Sequence, residues 1–483
     1  MDTNSISSET LDLLKKASST GVTSALGLTG IDLIDYISLV PVPATFYDKL
    51  AKTSPDVAGP YAIWRVLTDI NNQQSNPSTA FDYAAPLHKN NLLTVSSAYA
   101  KIGYGYTVTK DAIALAKGFA DAKALEVYST LMQYKIGADK MALGGQNFAL
   151  SIPGTPTVTP AGTGGTIGAT LAVPVRVAAR TGENYYYGGS TAASAAGTAT
   201  TSAGTTNSAV ATVPAVRGAV AYDWYVNGFY YTTTVVNKVT ITSIPTANAA
   251  VPALPGLSAT PITAVPAVDS SADPNAFNGL LATLAGDYVT GGSNGLVTAG
   301  SGTPSGAIFQ SLDGAGFSGS GQNINELDGL NAAIYQKTYL SPSAYMCSSV
   351  DASAISKLLL AGAGATTFFT PGSDGRSDVT AGGFIGHYIN KAAGGVPVAI
   401  EVHPNMVPGT LIARTDQVNF PNSNISNVFE IRSLDEVADY EYGVSRLAGV
   451  AGGGPRFDGE VYSTSTLINR APVAQAVLQG IQS

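Results

Sequence analysis

The stretch from Lys110 to Gly145, KDAIALAKGFADAKALEVYSTLMQYKIGADKMALGG, decides how the chain is read. Thr109 stands where an N-cap would, and Asp111 falls in the first turn, where the helix dipole favours an acid. Leu115, Phe119, Ala122, Leu125 and Tyr128 recur three or four apart, and Gly144-Gly145 supplies a C-terminal stop. A helix of that length, at 1.5 Å per residue, is a rod of roughly 50 Å if unbroken, with Gly118 and Gly137 as places where it can bend.

Beyond the rod the composition changes abruptly. From about Pro153 to Pro245 the chain is rich in Thr, Ala, Gly and Val and nearly free of charge, after which a mixed α/β pattern resumes. One domain is therefore inserted into another, which a host tolerates where its chain leaves and returns at nearby surface points. Within the insert, Val173, Val175, Val177 and Ala179 alternate with Pro174, Arg176, Ala178 and Arg180. Val220, Tyr222, Trp224 and Val226 alternate with Ala221, Asp223, Tyr225 and Asn227, ending at the turn pair Asn227-Gly228. These are half-buried strands, and with a tryptophan placed to fill the core they predict a small sandwich. It resembles an immunoglobulin-like or fibronectin-III-like module without the disulfide. The Ser/Thr/Ala/Gly run from Ser190 to Asn207 predicts a mobile loop.

Upstream, Ser8 to Ala17 forms an amphipathic piece, and Gly21 to Pro43 reads as an extended arm whose apolar residues need another surface. Tyr61 to Leu67 is aromatic and β-branched, and a second run begins at Leu92 and continues through Tyr104, Tyr106 and Val108. The polar connection Asn71 to Asn91 joins them, which predicts a long projecting hairpin. Downstream, a helical period begins near Asp273 (Phe277, Leu280, Leu281, Leu284) and a Gly/Ser-rich passage runs from Gly291 to Gly321. The order then predicts a helix over Asn323 to Lys337, a buried strand at Tyr345-Met346-Cys347 and a helix over Asp351 to Leu360. Strands follow at Val396 to His403 and Thr410 to Arg414 about Pro408-Gly409, then a strand over Glu460 to Leu467 and a buried end, Ala471 to Gln482.

Composition narrows the function. At 483 residues the chain is long enough for two or three domains, and only 12% of its residues are charged. A net charge of -8 with no basic run longer than Lys15-Lys16 argues against binding that works by neutralising phosphates. The single cysteine, Cys347, excludes an intramolecular disulfide and points to a reducing compartment. The N-terminus lacks the basic-then-apolar order of a signal peptide, and no apolar run is long enough to span a bilayer. His88, His387 and His403 share no metal-ligand spacing with each other or with Asp378 and Glu401. Gly372 to Asp378 reads as a turn rather than a calcium loop. No nucleophile elbow or phosphate-cradling loop occurs. The expectation is no catalytic residue, no metal and no cofactor.

The order of arm, projecting hairpin, long helix, mixed body and closing strand resembles the major capsid protein of tailed bacteriophages, the Hong Kong 97 fold. The run Lys101-Ile-Gly-Tyr-Gly-Tyr-Thr-Val-Thr-Lys-Asp111 resembles that family's passage from hairpin to spine helix, which Asp121 and the Gly144-Gly145 stop continue. Gly409-Thr410-Leu411-Ile412 after Pro408 resembles its Pro-Gly turn before a strand, and Thr466-Leu467 with Ala471-Pro472 its C-terminal strand. The resemblance implies an α+β fold divided into an N-terminal arm (1–58), an E-loop hairpin and the start of the P-domain (59–109), and the P-domain spine helix (110–149). After these come the immunoglobulin-like insertion (150–250), the remaining P-domain with the A-domain (251–455), and a C-terminal P-domain strand and tail (456–483).

The implied function is a non-enzymatic shell subunit that assembles with itself into hexamers and pentamers of an icosahedral virion capsid in the host cytoplasm. It encloses double-stranded DNA without specific binding or membrane contact, and its partners are a portal, decoration proteins and a scaffold that is separate, since the arm leaves no room for a fused one. Trp64, Arg65 and Lys89 are the candidate intersubunit contacts. Lys89 is also the one lysine placed for a cross-link, but no buried glutamate accompanies it, so a plain surface lysine is expected. Two other classes fit less well. A nanocompartment shell of the encapsulin type would ordinarily lack the insert, and a surface adhesin is disfavoured by the long helix and the missing export signal.

Overall fold

The computed structural model describes residues 45–55, 59–67, 78, 81, 83–84, 92–116, 121–249, 265–288, 303–304, 306–320, 323–361, 369–371, 377–379, 385–418, 427–445 and 455–482. The arm before residue 45, including the amphipathic piece expected at Ser8 to Ala17, lies outside them. So do His88, Lys89, residues 289–302 and residues 372–376.

The host is framed by an antiparallel sheet of long strands. Ala100–Thr109 pairs with Arg456–Asn469, which pairs with Phe429–Ser445, and Ala51–Thr53 joins the last in parallel. Side chains alternate across such strands. Ala100, Ile102, Tyr106 and Val108 face inward, while Lys101, Gly103, Gly105 and Thr107 face out. The inward face packs on the spine helix, where Tyr134 meets the Ser463 hydroxyl (2.6 Å) and Tyr47 meets that of Ser465 (3.3 Å). Phe46, Tyr134, Ala138, Phe277, Ile431 and Val461 belong to the core between them.

The expected single rod is two helices, Lys110–Ala116 and Ala122–Gly144. Asp121 adopts an extended conformation, and its carboxylate accepts from the backbone N–H groups of Lys123 (3.0 Å) and Ala124 (3.2 Å). An aspartate that caps a new first turn competes with continuing the old helix. The second helix, 23 residues, is about 35 Å long.

The hairpin differs from expectation in its second arm. Tyr61–Leu67 pairs with Leu92–Ala98, from Tyr61 opposite Ala98 to Leu67 opposite Leu92. The apolar run expected to continue unbroken from Leu92 to Val108 is two strands in two sheets. The change falls at Tyr99, whose N–H bonds the Pro60 carbonyl (3.4 Å). Pro60 has no N–H to return, so the ladder ends there and the chain crosses to the frame.

The insert is a two-sheet sandwich of seven strands, antiparallel throughout. One sheet orders Phe229–Thr234, Ala221–Val226, Ala172–Arg180 and Gly197–Thr200; the other orders Lys238–Ile241, Ser208–Thr212 and Thr157–Ala161. Trp224 is fully buried among Val173, Val175, Val177 and Ile241. Lettered A to G along the chain, the sheets are F-E-B-C and G-D-A, whereas a constant-type immunoglobulin domain sets A, B, E and D against C, F and G. Trp224 fills the core as expected, but Ala221–Val226 is buried on both faces rather than half-buried, and the strand partition is not that of an immunoglobulin domain. One cause is local: Asn227 (φ 54°) and Gly228 (φ 81°) make the tight turn that keeps E and F neighbours in one sheet.

The stretch expected to be a mobile loop, Ser190 to Asn207, carries a strand and is hydrogen-bonded to the sandwich. The Thr191 and Ser194 hydroxyls accept from the N–H groups of Ala179 (2.9 Å) and Val177 (3.1 Å), and Gly197–Thr200 forms an edge strand. The Asn207 amide donates to the carbonyls of Ile167, Ser202 and Gly204. Its small polar residues take up backbone hydrogen bonds rather than avoiding structure.

The body is a six-stranded mixed sheet in the order Ile308–Ser311, Ala476–Gln479, Thr410–Arg414, Ala344–Cys347, Val396–Val402, His387–Asn390. Helices Asn325–Thr338 and Ser349–Ala361 contribute Leu327, Leu330, Ile334 and Ile355 to one core against it. Met346, Ile412 and Val477 face the core shared with the frame. The C-terminal segment is thus the second strand of this sheet, between Thr410–Arg414 and the parallel edge strand Ile308–Ser311. The helical period from Asp273 yields only Leu280–Ala285.

Candidate assembly surfaces and the seam between insert and host

The two faces of the hairpin have opposite roles. Ala62, Trp64, Val66 and Val95 point inward onto Phe148, Ala282 and Ile468. Trp64 is only 6% exposed, and its indole N–H donates to the Asn469 carbonyl (3.0 Å), at the end of the closing strand. It roots the hairpin in its own chain. On the other face Tyr61, Ile63 (62% exposed) and Arg65 are open to solvent. Neighbours in sequence, Trp64 and Arg65 are therefore split between an internal anchor and an outward face. Lys89 lies outside the described residues.

The frame sheet also has an open face, on the side away from the spine helix. Tyr440 stacks on Tyr462 (4.5 Å between centroids, 18° between planes), and Lys101 sits 4.0 Å above the Tyr462 ring while pairing with Glu460 (2.6 Å). Hydrogen bonds from Lys101 and Tyr442 hold the Glu460 carboxyl below its usual range. Tyr442 is 63% exposed. Outward tyrosines beside a charged pair are the composition expected of a surface that meets protein.

Two buried carboxylates organise the interior. Asp139, on the spine helix, accepts from the Tyr47 N–H (3.1 Å) and the Asn405 amide (2.7 Å), with His403 Nε2 at 3.4 Å. It thereby ties the first described segment, the spine helix and the turn after Val396–Val402. Burial pushes the His403 imidazole below its ordinary range, more than Asp139 raises it. Asp351 accepts from the Gly409 N–H (3.0 Å) and the Ser348 hydroxyl (2.8 Å), pinning the Pro408-Gly409 turn to the start of a helix.

A short helix of the insert, Gly182–Tyr187, is wedged into the host. Thr181 caps it by accepting from the Asn184 N–H (3.1 Å). Tyr185 and Tyr186 join the host core, and the Tyr186 hydroxyl donates to the Asn405 carbonyl (2.9 Å). Lys140 of the spine helix lies over the rings of Tyr186 (4.4 Å) and Tyr187 (5.6 Å), and burial lowers its pKa. Sequence reading missed this wedge. Its signal was present as Thr181 three residues before Asn184 with three consecutive tyrosines following, inside a region read as all strand.

Among the described residues no group of three or more His, Cys, Asp and Glu is placed to hold a metal ion, and no helix is long and apolar enough to cross a membrane. His387 stands on the edge strand of the body sheet, away from His403. The Cys347 thiol is buried and pushed up to about 12 by that burial, which makes it an inert core group.

No family model matches the sequence, and no curated protein does. Solved structures do. A cyanophage A-1(L) capsid asymmetric unit is 10% identical with a TM-score of 0.46, covering 95% of this chain and 100% of that one. The capsid of an empty GTA particle is 8% identical (TM-score 0.38; 95% and 100% covered), and Gordonia phage Cozz 10% identical (TM-score 0.37; 96% of each).

Proposed function

We propose that this chain is the major capsid subunit of a tailed double-stranded DNA bacteriophage, assembling with itself into an icosahedral head. The observation that carries the reading is the hairpin. Trp64 fixes its root to Asn469, its return strand continues into the frame beside the closing strand, and its other face leaves Tyr61, Ile63 and Arg65 without cover. A two-stranded ribbon with an apolar residue left in water is a marginal element alone, and a neighbouring copy supplies the missing burial.

The same reading accounts for the charge. A net -8 with few basic residues suits a wall that encloses DNA without gripping it. The subunit acts structurally, in the virion, after assembly in the host cytoplasm into hexamers and pentamers with a portal, a separate scaffold and decoration proteins as partners. The insert faces outward, where it takes no volume from the genome.

Ile63→Asp and Arg65→Glu test this. Both sites are exposed, so each variant should stay folded and soluble, while sedimentation shows unassembled subunits where the parent forms closed shells. Shells of normal size and yield from both variants would remove the hairpin from the assembly contact.

A further inference from the structure

Asn-Gly occurs at Asn227-Gly228, Asn278-Gly279 and Asn294-Gly295, the last outside the described residues. The pair is chemically self-reactive. Glycine carries no side chain to shield its amide nitrogen, and that nitrogen is one ring closure away from the carboxamide carbon of the preceding asparagine. Reaction in a folded protein needs the nitrogen and the amide to be free, and the backbone between them to be able to turn.

The first two pairs are opposites. Asn227-Gly228 forms the tip between Ala221–Val226 and Phe229–Thr234, with Val226 opposite Phe229. Both tip residues have positive φ (54° and 81°), the geometry that selects Asn-Gly for a two-residue turn. Both are exposed, and a Cβ on Gly228 would meet nothing within 4 Å. The Asn227 N–H donates to the Pro174 carbonyl (2.9 Å), but among the described residues neither the Asn227 carboxamide nor the Gly228 N–H meets a partner. Asn278-Gly279 is locked. Asn278 is buried and its Oδ1 accepts from the Asn147 N–H (3.1 Å), while the Gly279 N–H donates to the Gly145 carbonyl (2.8 Å).

We propose that Asn227 is a self-modification site at the tip of the inserted sandwich, losing its amide nitrogen to attack by Gly228, and that the change weakens the turn. The Gly228 nitrogen gives its proton to hydroxide and bonds the Asn227 Cγ. The Cγ–Nδ2 bond breaks, and ammonia leaves with a proton taken from water. Water then opens the five-membered imide at either carbonyl, giving aspartate or, with the main chain rerouted through Cγ, isoaspartate. Neither an oxidant nor a second copy of the chain is needed. Either product adds a negative charge, and isoaspartate lengthens the two-residue turn by one methylene, so Val226 and Phe229 no longer face each other in register. Tyr225 and Tyr230, paired behind the turn with ring centroids 6.0 Å apart, take up the misfit.

Peptide mapping by mass spectrometry tests the site on the full chain held folded in mildly alkaline buffer. Conversion at Asn227 should run at least about tenfold ahead of Asn278, because an exposed tip opens locally whereas Asn278 is freed only when the seam opens. In urea the two should convert at comparable rates, since the dipeptide is the same and the fold is gone. Thermal unfolding tests the consequence. The Tm of the parent should fall as the sample ages, by on the order of a degree or more, and should hold in Asn227→Gly, which accepts the positive φ and has no amide to lose. Equal conversion of Asn227 and Asn278 in the folded protein would overturn the proposal, as would converted protein that melts with the fresh. The mapping arm needs no variant.

Discussion

Gly144, the last residue of the spine helix, and Gly182, the first of the wedge helix, meet backbone to backbone. A Cβ on either would lie 2.8 Å from the other's Cα, closer than real Cβ atoms come to anything. The insert is thus seated on the host by a contact that admits no side chain.

A contrast between glycines follows. Gly144→Ala and Gly182→Ala should each lower stability by about 2 kcal/mol, because the backbones must part. Gly329, mid-helix in Asn325–Thr338 with nothing within 4 Å, should do the reverse. Gly329→Ala should gain about 0.5–1 kcal/mol through helix propensity and reduced freedom of the unfolded chain. Denaturant unfolding of the three variants checks the signs, and a tolerated alanine at Gly182 would mean the seam is looser than described.

His403 predicts acid lability. Its imidazole is held below its ordinary range by burial, so the unfolded chain binds protons more readily, and stability falls as pH drops from about 6.5 through the lowered folded value. In His403→Gln the fall over that window should shrink, measured as Tm against pH. An unchanged profile would show that His403 charges freely beside Asp139.

The buried ion pair in the insert should be costly to break from one side. Arg180 Nε donates to Asp223 (2.7 Å), and Thr233 supports the same carboxylate (2.5 Å). Asp223→Ala leaves a buried guanidinium unpaired and should destabilise by roughly 3–5 kcal/mol. A loss below about 1 kcal/mol, the level of an exposed pair, would place the pair in contact with water.

The sandwich has a core of its own around Trp224, distinct from the tyrosines it lends to the host. Residues 150–250 expressed alone should therefore unfold cooperatively, with Tyr185 and Tyr186 newly accessible to solvent. A structureless product would make the insert an extension of the body.

What the sequence revealed follows from how each element is stabilised. The spacing of Leu327, Leu330 and Ile334 was legible because burial of one face leaves a period. The strand Phe429–Ser445 left none: Glu430, Asp435, Glu436, Asp439 and Glu441 crowd it, and its partners lie far off in sequence. The break at Asp121 was marked by a capping residue, yet the apolar spacing ran across it and masked the signal. The wedge helix is only six residues, stabilised by a cap and by host contacts, so periodicity had no room to show. Of the candidate contacts, composition could not separate Trp64 from Arg65; only the register of Tyr61–Leu67 against Leu92–Ala98 does.

The central claim is that copies of this chain close into a shell through the open face of the hairpin. Electron microscopy of the purified, assembled protein tests it most directly. The account predicts closed icosahedral particles in whose map Tyr61, Ile63 and Arg65 lie against a neighbouring subunit while Trp64 stays within its own. A protein that remains monomeric under all assembly conditions would contradict it, as would particles in which that face is bare.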